Sequence, residues 1–115
     1  MSCVKQHSKI QIQRSEKPKS LIPNKDLLFG KSFTDHMLTI EWKADVGWLD
    51  PIIKPYGKIS LDPSAMVFHY SFECFEGLKA YKDKDGNIRL FRPDMNMKRF
   101  KKSAARISLP VSLWY

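Results

Sequence analysis

Two histidines stand beside acidic residues and are the first candidates for acid–base or metal chemistry. His36 follows Asp35, and His69 lies close to Glu73. A histidine ring can accept a proton or bind a metal, but an isolated histidine in an aromatic segment is more often a hydrogen-bonded structural residue. The chain also lacks the HExxH and CxxC spacings typical of metal sites. We therefore predict structural roles for both histidines and no metal site.

Lys79 is a candidate for a lysine that forms a Schiff base. Such a lysine needs an enclosed setting, whereas Lys79 is predicted to lie on a half-exposed strand. We favour a solvated lysine. The chain contains neither a GxGxxG fingerprint nor a complete phosphate loop ending in GKS or GKT.

The chain is basic, with a formal net charge of +8 and its densest basic cluster at residues 98–102, followed by Arg106. A positive surface attracts nucleic acid, anionic membranes and phosphorylated ligands alike. On a helix such a cluster is usually a solvated face, and we favour that interpretation. No apolar run approaches the roughly 18 residues of a membrane helix, and no secretory signal is recognisable.

The cysteines and the N-terminus indicate a compartment. Cys3 and Cys74 form no regularly spaced framework, which favours a reducing environment. The first twenty residues are basic and contain Glu16 as their one acid, so a mitochondrial presequence stays open, although an amphipathic arginine pattern is lacking. We predict a cytoplasmic protein, with a mitochondrial location as the alternative.

The first half of the packable region is predicted to contain short strands followed by a helix. Residues 37–42 favour a strand, and residues 58–61 form a further short candidate. Residues 51–55 carry a proline at each end, which favours an edge or irregular strand because proline lacks a hydrogen-bond donor. Residues 64–75 predict a helix that ends at Gly77 and is buried on most sides, since its aromatic residues leave no polar face.

The second half is predicted to form a β-hairpin. Residues 78–81 and 88–91 flank an Asp-Gly loop at 83–87, and the glycine supplies the positive φ that a tight hairpin turn requires.

An amphipathic helix is predicted after the hairpin. Asp94 is the predicted N-cap, and the helix stops before Pro110. Apolar residues recur at helical spacing and are predicted to pack on the hairpin, and Arg99 is predicted to lie outside this stripe. The stripe consists of Met97, Phe100, Ala104 and Ile107.

These patterns divide the chain into three parts. Residues 1–30 are polar and lysine-rich, with Pro18 and Pro23, and predict a mobile extension. Residues 31–110 predict one small domain, and residues 111–115 form an atypical tail.

Several motifs together resemble one known family. Residues 33–37 read FTDHM, residues 75–81 read FEGLKAY, and residues 89–93 read RLFRP, followed by Asn96, Met97 and Arg99. In this order and spacing, the chain from about residue 28 to residue 110 resembles the branched-chain amino-acid aminotransferases. Each fragment alone is weak, but the combination is specific.

The resemblance implies a fold-type IV enzyme that uses pyridoxal 5′-phosphate (PLP). This chain would be its small N-terminal α/β (α+β-like) domain, a mostly antiparallel sheet with packed helices. A larger domain would carry the Schiff-base lysine, and the subunits would form a homodimer. The small-molecule partners would be amino acids and 2-oxo acids: leucine, isoleucine or valine would donate an amino group to 2-oxoglutarate.

The resemblance also implies roles for individual residues. Arg99 matches the arginine that contacts the PLP phosphate, a role suited to a forked, permanently charged donor. Phe29, Tyr70 and Phe75 match the aromatic residues that wall the substrate pocket. Ordinary core packing is the alternative for these three.

The catalytic lysine lies outside this chain, and residues 111–115 depart from the family pattern. We therefore expect a truncated form that is inactive alone. The alternative is a non-catalytic isoform that binds full-length subunits. A nucleic-acid binder is disfavoured because the basic cluster coincides with the helix that resembles the cofactor helix.

Overall fold

The computed structural model describes residues 10–111 as two units, one ending at Ser60 and the other beginning at Leu61. Each unit combines short strands with helical segments, and most of the strand pairs are antiparallel, as predicted. The predicted boundary at residue 30 does not coincide with the division at Ser60. Cys3 and residues 112–115 of the predicted tail lie outside the described residues.

The first unit is built from short strands. The elements in chain order are β1 (Gln11–Ile12), a 3-10 helix (Asn24–Asp26), β2 (His36–Thr39), β3 (Trp42–Lys43), β4 (Gly47–Trp48) and β5 (Ile52–Pro55). Strands β1, β5 and β2 form one sheet in that order, with β5 parallel to β1 and antiparallel to β2.

The edge position predicted for residues 51–55 is wrong, because β5 lies between β1 and β2. Proline is tolerated there because Pro51 precedes the strand and Pro55 is its last residue, so the missing N–H groups fall at the ends. The carbonyl of Pro51 still accepts a hydrogen bond from the Gln11 N–H at 3.1 Å. The location of the two prolines at the ends of β5 therefore allows a central strand, although a proline-containing segment usually favours an edge.

The strand predicted at residues 37–42 is interrupted. β2 ends at Thr39 and β3 begins at Trp42, which pairs with Trp48 on β4 in an antiparallel ribbon. Gly47, with φ +82°, provides the backbone conformation that this reversal needs.

The FTDHM motif anchors the first unit through its backbone and side chains. The Phe33 and Tyr56 rings stack with their centroids 5.0 Å apart. The Asp35 carboxylate accepts a hydrogen bond from the Lys19 N–H at 3.0 Å, and His36 Nε2 accepts one from the Ser15 N–H at 2.9 Å. These bonds attach part of the predicted extension to Asp35 and to His36, the first residue of β2, an attachment that composition did not predict.

The second unit contains two helices and one hairpin within its described residues. Its elements are α1 (Met66–Tyr70), β6 (Ala80–Lys82), β7 (Ile88–Leu90) and α2 (Pro93–Arg106). Neither helix is long and apolar enough to cross a membrane.

Helix α1 is much shorter than predicted. It ends at Tyr70 because Ser71 adopts the left-handed conformation, with φ 52° and ψ 39°. The prediction that this segment is buried on most sides is wrong, since Phe68 is 62% exposed. No strand forms at residues 58–61 either.

The predicted hairpin is confirmed. β6 pairs antiparallel with β7, and the Asp83 N–H donates to the Asn87 carbonyl at 3.0 Å across the loop. The Asp83 carboxylate accepts hydrogen bonds from the backbone N–H groups of Asn87 and Asp85, and Arg89 Nε lies 3.2 Å away. The bond from Asn87 is the main cause that lowers the pKa of Asp83.

Replacing Gly86 should weaken the hairpin. Gly86 has φ +84°, and an added Cβ would meet only the flexible Lys82 side chain at 3.8 Å, so backbone strain dominates the cost. We expect Gly86→Ala to cost about 1 kcal/mol, which would speed amide exchange at the Asp83 N–H about fivefold. Gly77→Ala is the matched control, because Gly77 lies outside the left-handed region and its Cβ would enter open space. Equal exchange rates in the two variants would contradict the argument.

Helix α2 confirms the predicted span but not the predicted cap. The N-cap residue is Arg92, and Asp94 lies inside the first turn behind Pro93, a residue well suited to that position. The prediction of Asp94 as N-cap is therefore wrong. The helix ends before Pro110, as predicted: Ser108 has φ 57°, and the Leu109 N–H donates to the Ala104 carbonyl at 3.0 Å. This geometry is a Schellman motif.

The apolar stripe of α2 is only partly covered. Ala104 is buried, whereas Met97 and Phe100 are 47% and 38% exposed. The predicted packing of the whole stripe on the hairpin is therefore wrong. The helix is instead fastened through polar side chains to the chain that precedes β6.

Candidate functional site

Three polar side chains and one carbonyl meet where α2 passes the FEGLKAY segment. Glu76 and Gly77 belong to the irregular chain between α1 and β6, and Asn96 and Arg99 stand on α2. Asn96 and Arg99 are three residues apart in sequence, so they occupy the same side of the helix. We call these four residues the Glu76 cluster.

Arg99 and Glu76 form a two-pronged ion pair. Arg99 Nε donates to Glu76 Oε1 at 2.7 Å, and Arg99 Nη2 donates to Glu76 Oε2 at 2.7 Å. A carboxylate and a guanidinium fit each other in this parallel arrangement, which fixes orientation as well as distance.

Asn96 holds the same carboxylate from the helix. Its Nδ2 group donates to Glu76 Oε2 at 2.6 Å and to the Gly77 carbonyl at 2.7 Å. Glu76 is therefore bound by two side chains of α2, and the FEGLKAY backbone is bound directly as well.

The burial of the two charged side chains differs strongly. The Glu76 side chain is 13% exposed, and the Arg99 side chain is 62% exposed. The Arg99 hydrogen bonds, followed by the bond from Asn96, lower the pKa of Glu76. The same hydrogen bonds raise the pKa of Arg99. Both groups are charged at neutral pH.

The predicted outward position of Arg99 is confirmed by this exposure. A guanidinium has five N–H donors, and the contact with Glu76 uses one from Nε and one from Nη2. Within residues 10–111, Nη1 has no hydrogen-bond partner. The remaining donors face away from Glu76 and suit the oxygens of a phosphate group, so the chemistry of Arg99 fits the role that the resemblance implies.

The ionisation of Glu76 should depend on Arg99. Folding lowers the pKa of the Glu76 carboxyl, so this carboxyl stabilises the cluster at pH values above its ordinary pKa of 4.5. The stabilisation is lost as the pH falls through the lowered pKa. We expect NMR titration of the Glu76 carboxyl to show a pKa below 4.5, and Arg99→Gln to raise it towards that value. Lys98→Gln is the control, because Lys98 lies 3.8 Å from Asp94 rather than at the cluster. An unchanged titration of Glu76 in Arg99→Gln would refute the assignment.

The three predicted pocket residues are exposed within their own units. Phe29 is fully exposed in a turn of the first unit. In the second unit, Tyr70 at the end of α1 is 72% exposed, and Phe75 beside the Glu76 cluster is 91% exposed. Neither unit by itself closes an apolar pocket around these rings. The alternative, ordinary core packing, does not hold for them among the described residues.

The structure supports the structural roles predicted for the histidines. His36 Nε2 accepts a backbone hydrogen bond from Ser15, and His69 Nε2 donates to the Pro63 carbonyl at 2.8 Å. Within residues 10–111 no three side chains of His, Cys, Asp or Glu gather as metal ligands. Lys79 is exposed, as predicted.

Glu76 and Asn96 belong to the family motifs, but the sequence alone indicated no function for either residue. The available signal was the spacing of Asn96 and Arg99 along one helix side, which implies a common contact. A shallow depression on α2, lined by Lys102, Ser103, Ala105 and Arg106, involves none of the predicted site residues.

Comparison with known proteins identifies the relatives of the chain. No family model matches it. The cytosolic branched-chain-amino-acid aminotransferase of Saccharomyces cerevisiae is 63% identical over 106 residues, which cover 90% of this chain and 27% of the relative. The mitochondrial enzyme of the same yeast is 61% identical over 103 residues, covering 90% of this chain and 26% of the relative. The cytosolic enzyme of Mus musculus is 55% identical over 85 residues, covering 74% of this chain and 22% of the relative.

These identities show that the chain is similar in sequence to aminotransferases. Within that class its relatives are the branched-chain amino-acid aminotransferases, which confirms the resemblance carried by the motifs. The chain spans about a quarter of the length of these relatives.

Proposed function

We propose that this chain is the small-domain segment of a PLP-dependent branched-chain amino-acid aminotransferase of fold-type IV that acts as a homodimer. The proposal is supported by 63% identity to the cytosolic branched-chain-amino-acid aminotransferase of Saccharomyces cerevisiae over 90% of the chain. The mixed architecture of helices and mainly antiparallel strands agrees with a small α/β domain.

The proposed reaction moves an amino group between two small molecules. Leucine, isoleucine or valine loses the group and becomes a branched 2-oxo acid, while 2-oxoglutarate gains it and becomes glutamate. PLP, when bound, supplies the electron sink for this exchange. The catalytic lysine is proposed to lie outside the 115 residues of this chain.

Arg99 is the residue of this chain that is proposed to contact the cofactor. Its guanidinium is fixed by Glu76 and still presents donors on the side away from that carboxylate. We propose that these donors hold the phosphate of PLP, since a planar, permanently charged fork binds phosphate oxygens in pairs.

Phe29, Tyr70 and Phe75 are proposed to wall the substrate pocket in the complete protein. Rigid aromatic rings offer an apolar surface that suits branched aliphatic side chains and disfavours charged ones. Their exposure in this chain leaves them available for such contacts. The proposed compartment is the cytoplasm; the relatives include both cytosolic and mitochondrial enzymes.

The proposal is tested on the protein isolated at its natural length from its source. We expect glutamate to form from 2-oxoglutarate in the presence of PLP and leucine, and much less to form when aspartate replaces leucine. A protein that is active on aspartate but not on leucine, isoleucine or valine would contradict the proposed substrates. An inactive protein that co-purifies with a longer homologous subunit would favour the non-catalytic isoform instead.

A further inference from the structure

Of the two charged groups in the Glu76 cluster, Glu76 is the more enclosed, and the proposed function assigns it no role. Its side chain is 13% exposed, and both of its oxygens accept hydrogen bonds from α2. We propose that Glu76 is a positioning residue, which orients the Arg99 guanidinium for the phosphate of PLP. This inference rests on the proposed function, because it assumes that Arg99 binds that phosphate.

The need for positioning follows from the place of Arg99 on the helix. A long arginine side chain on an exposed helix surface samples many rotamers, and binding a ligand restricts them at a cost in side-chain entropy. The two bonds of 2.7 Å to Glu76 fix the plane of the guanidinium before any ligand arrives. Because Glu76 holds the Arg99 side chain in place, the entropy cost of ordering Arg99 arises during folding rather than during ligand binding.

Glu76 can orient Arg99 because Glu76 is itself held. Asn96 Nδ2 donates both to Glu76 Oε2 and to the neighbouring Gly77 carbonyl, at 2.6 and 2.7 Å. The carboxylate is thus tied to α2 one turn before Arg99 and to the backbone of its own segment.

The geometry distinguishes this pair from an ordinary surface ion pair. Lys98 and Asp94 on the same helix are 3.8 Å apart, and their side chains are 73% and 64% exposed. Such a loose pair constrains neither partner. The pair of Glu76 and Arg99 is shorter, bonded at two points and enclosed on the carboxylate side.

Whether removal of Glu76 tightens or weakens phosphate binding distinguishes two possible roles of this carboxylate. The bonds to Glu76 use the edge formed by Nε and Nη2, so a phosphate would bind on the side of Nη1, away from the carboxylate. If Glu76 acted only through its negative charge, removing that charge would tighten the binding of a phosphate anion. If Glu76 positions Arg99, removing it weakens that binding.

The experiment compares PLP with pyridoxal, which lacks the phosphate, in equilibrium binding to the complete protein. Glu76→Gln should weaken PLP binding about tenfold, the lower end of the loss typical when a group that orients a metal ligand is removed, and should change pyridoxal binding less than twofold. Asp94→Asn, which removes a similar charge from the loose pair on α2, should leave both dissociation constants unchanged. The phosphorus NMR signal of bound PLP should shift in Glu76→Gln but not in Asp94→Asn.

The arginine variant separates the two proposals. Arg99→Gln should also reduce the preference for PLP over pyridoxal, and adding Glu76→Gln to it should cause no further loss. If Arg99→Gln leaves that preference intact, the proposed role of Arg99 fails. If Arg99→Gln reduces it but Glu76→Gln leaves it unchanged or increases it, only the positioning role is overturned.

Equal weakening of PLP and pyridoxal by Glu76→Gln would show a general structural effect and overturn the inference. Should Glu76→Gln fail to fold, Glu76→Asp provides the same test, because the shorter side chain keeps the charge but cannot reach both nitrogens. That variant should lose part of the preference for PLP; full retention would overturn the inference.

Discussion

The 115-residue polypeptide, made on its own, is expected to form no glutamate from leucine, 2-oxoglutarate and PLP. Transamination needs a lysine amine in an enclosed site, where it can bond to the cofactor and move a proton. None of the lysines among residues 10–111 is buried. Arg99 can hold an anion, but a permanently charged guanidinium cannot act as the base.

The measurement is glutamate release over hours at high protein concentration. The control is the protein at its natural length, assayed at the same molar concentration with the same PLP stock. Turnover by the 115-residue polypeptide that approaches this control would overturn the expectation and would require a catalytic lysine within the chain.

The hairpin and α2 could be predicted from sequence because their signals are local. An Asp-Gly loop whose Gly86 has φ +84° closes the hairpin, and apolar residues at helical spacing mark α2. The cap of α2 was mispredicted because Asp94 is a residue type that often caps helices. Pro93 has a φ fixed near the helical value, so the helix begins at Pro93, one residue before Asp94.

The elements that were missed depend on distant partners or on single backbone conformations. β5 became a central strand because β1, which lies about forty residues earlier in the chain, pairs with it. Helix α1 stopped at the left-handed conformation of Ser71, although serine is not a strong stop signal. Neither determinant is visible in the residues of the element itself.

In the candidate site, too, local features could be predicted from sequence, whereas contacts between distant residues could not. The family motif indicated Arg99, and helical spacing predicted its outward position. Its partner Glu76 lies 23 residues earlier, in a segment without regular structure, so only the structure brings the carboxylate to the guanidinium. The aromatic residues are the opposite case, because the family resemblance indicates them while neither unit encloses them among the described residues.

Exposed apolar surface should dominate the solution behaviour of the 115-residue polypeptide made on its own. Among residues 10–111, no large side chain is fully buried, so burial gains at about 25 cal/mol per Å² are small beside a backbone ordering cost of about 1–2 kcal/mol per residue. We expect broad, non-cooperative urea unfolding and strong binding of a hydrophobic fluorescent dye. The apolar side chains that are at least 70% exposed include Leu21, Phe29, Tyr70, Ile88, Phe75 and Phe91.

The protein at its natural length is the control for this prediction. If the remaining three quarters of the relatives' length is what covers these side chains, dye fluorescence per mole should fall severalfold and unfolding should become cooperative. Double substitution of Phe29 and Phe75 by serine should lower dye binding in the 115-residue polypeptide, because both rings are almost fully exposed there. A sharp unfolding transition without dye binding in that polypeptide would show that its two units are stable without further chain, and the exposed rings would then need another explanation.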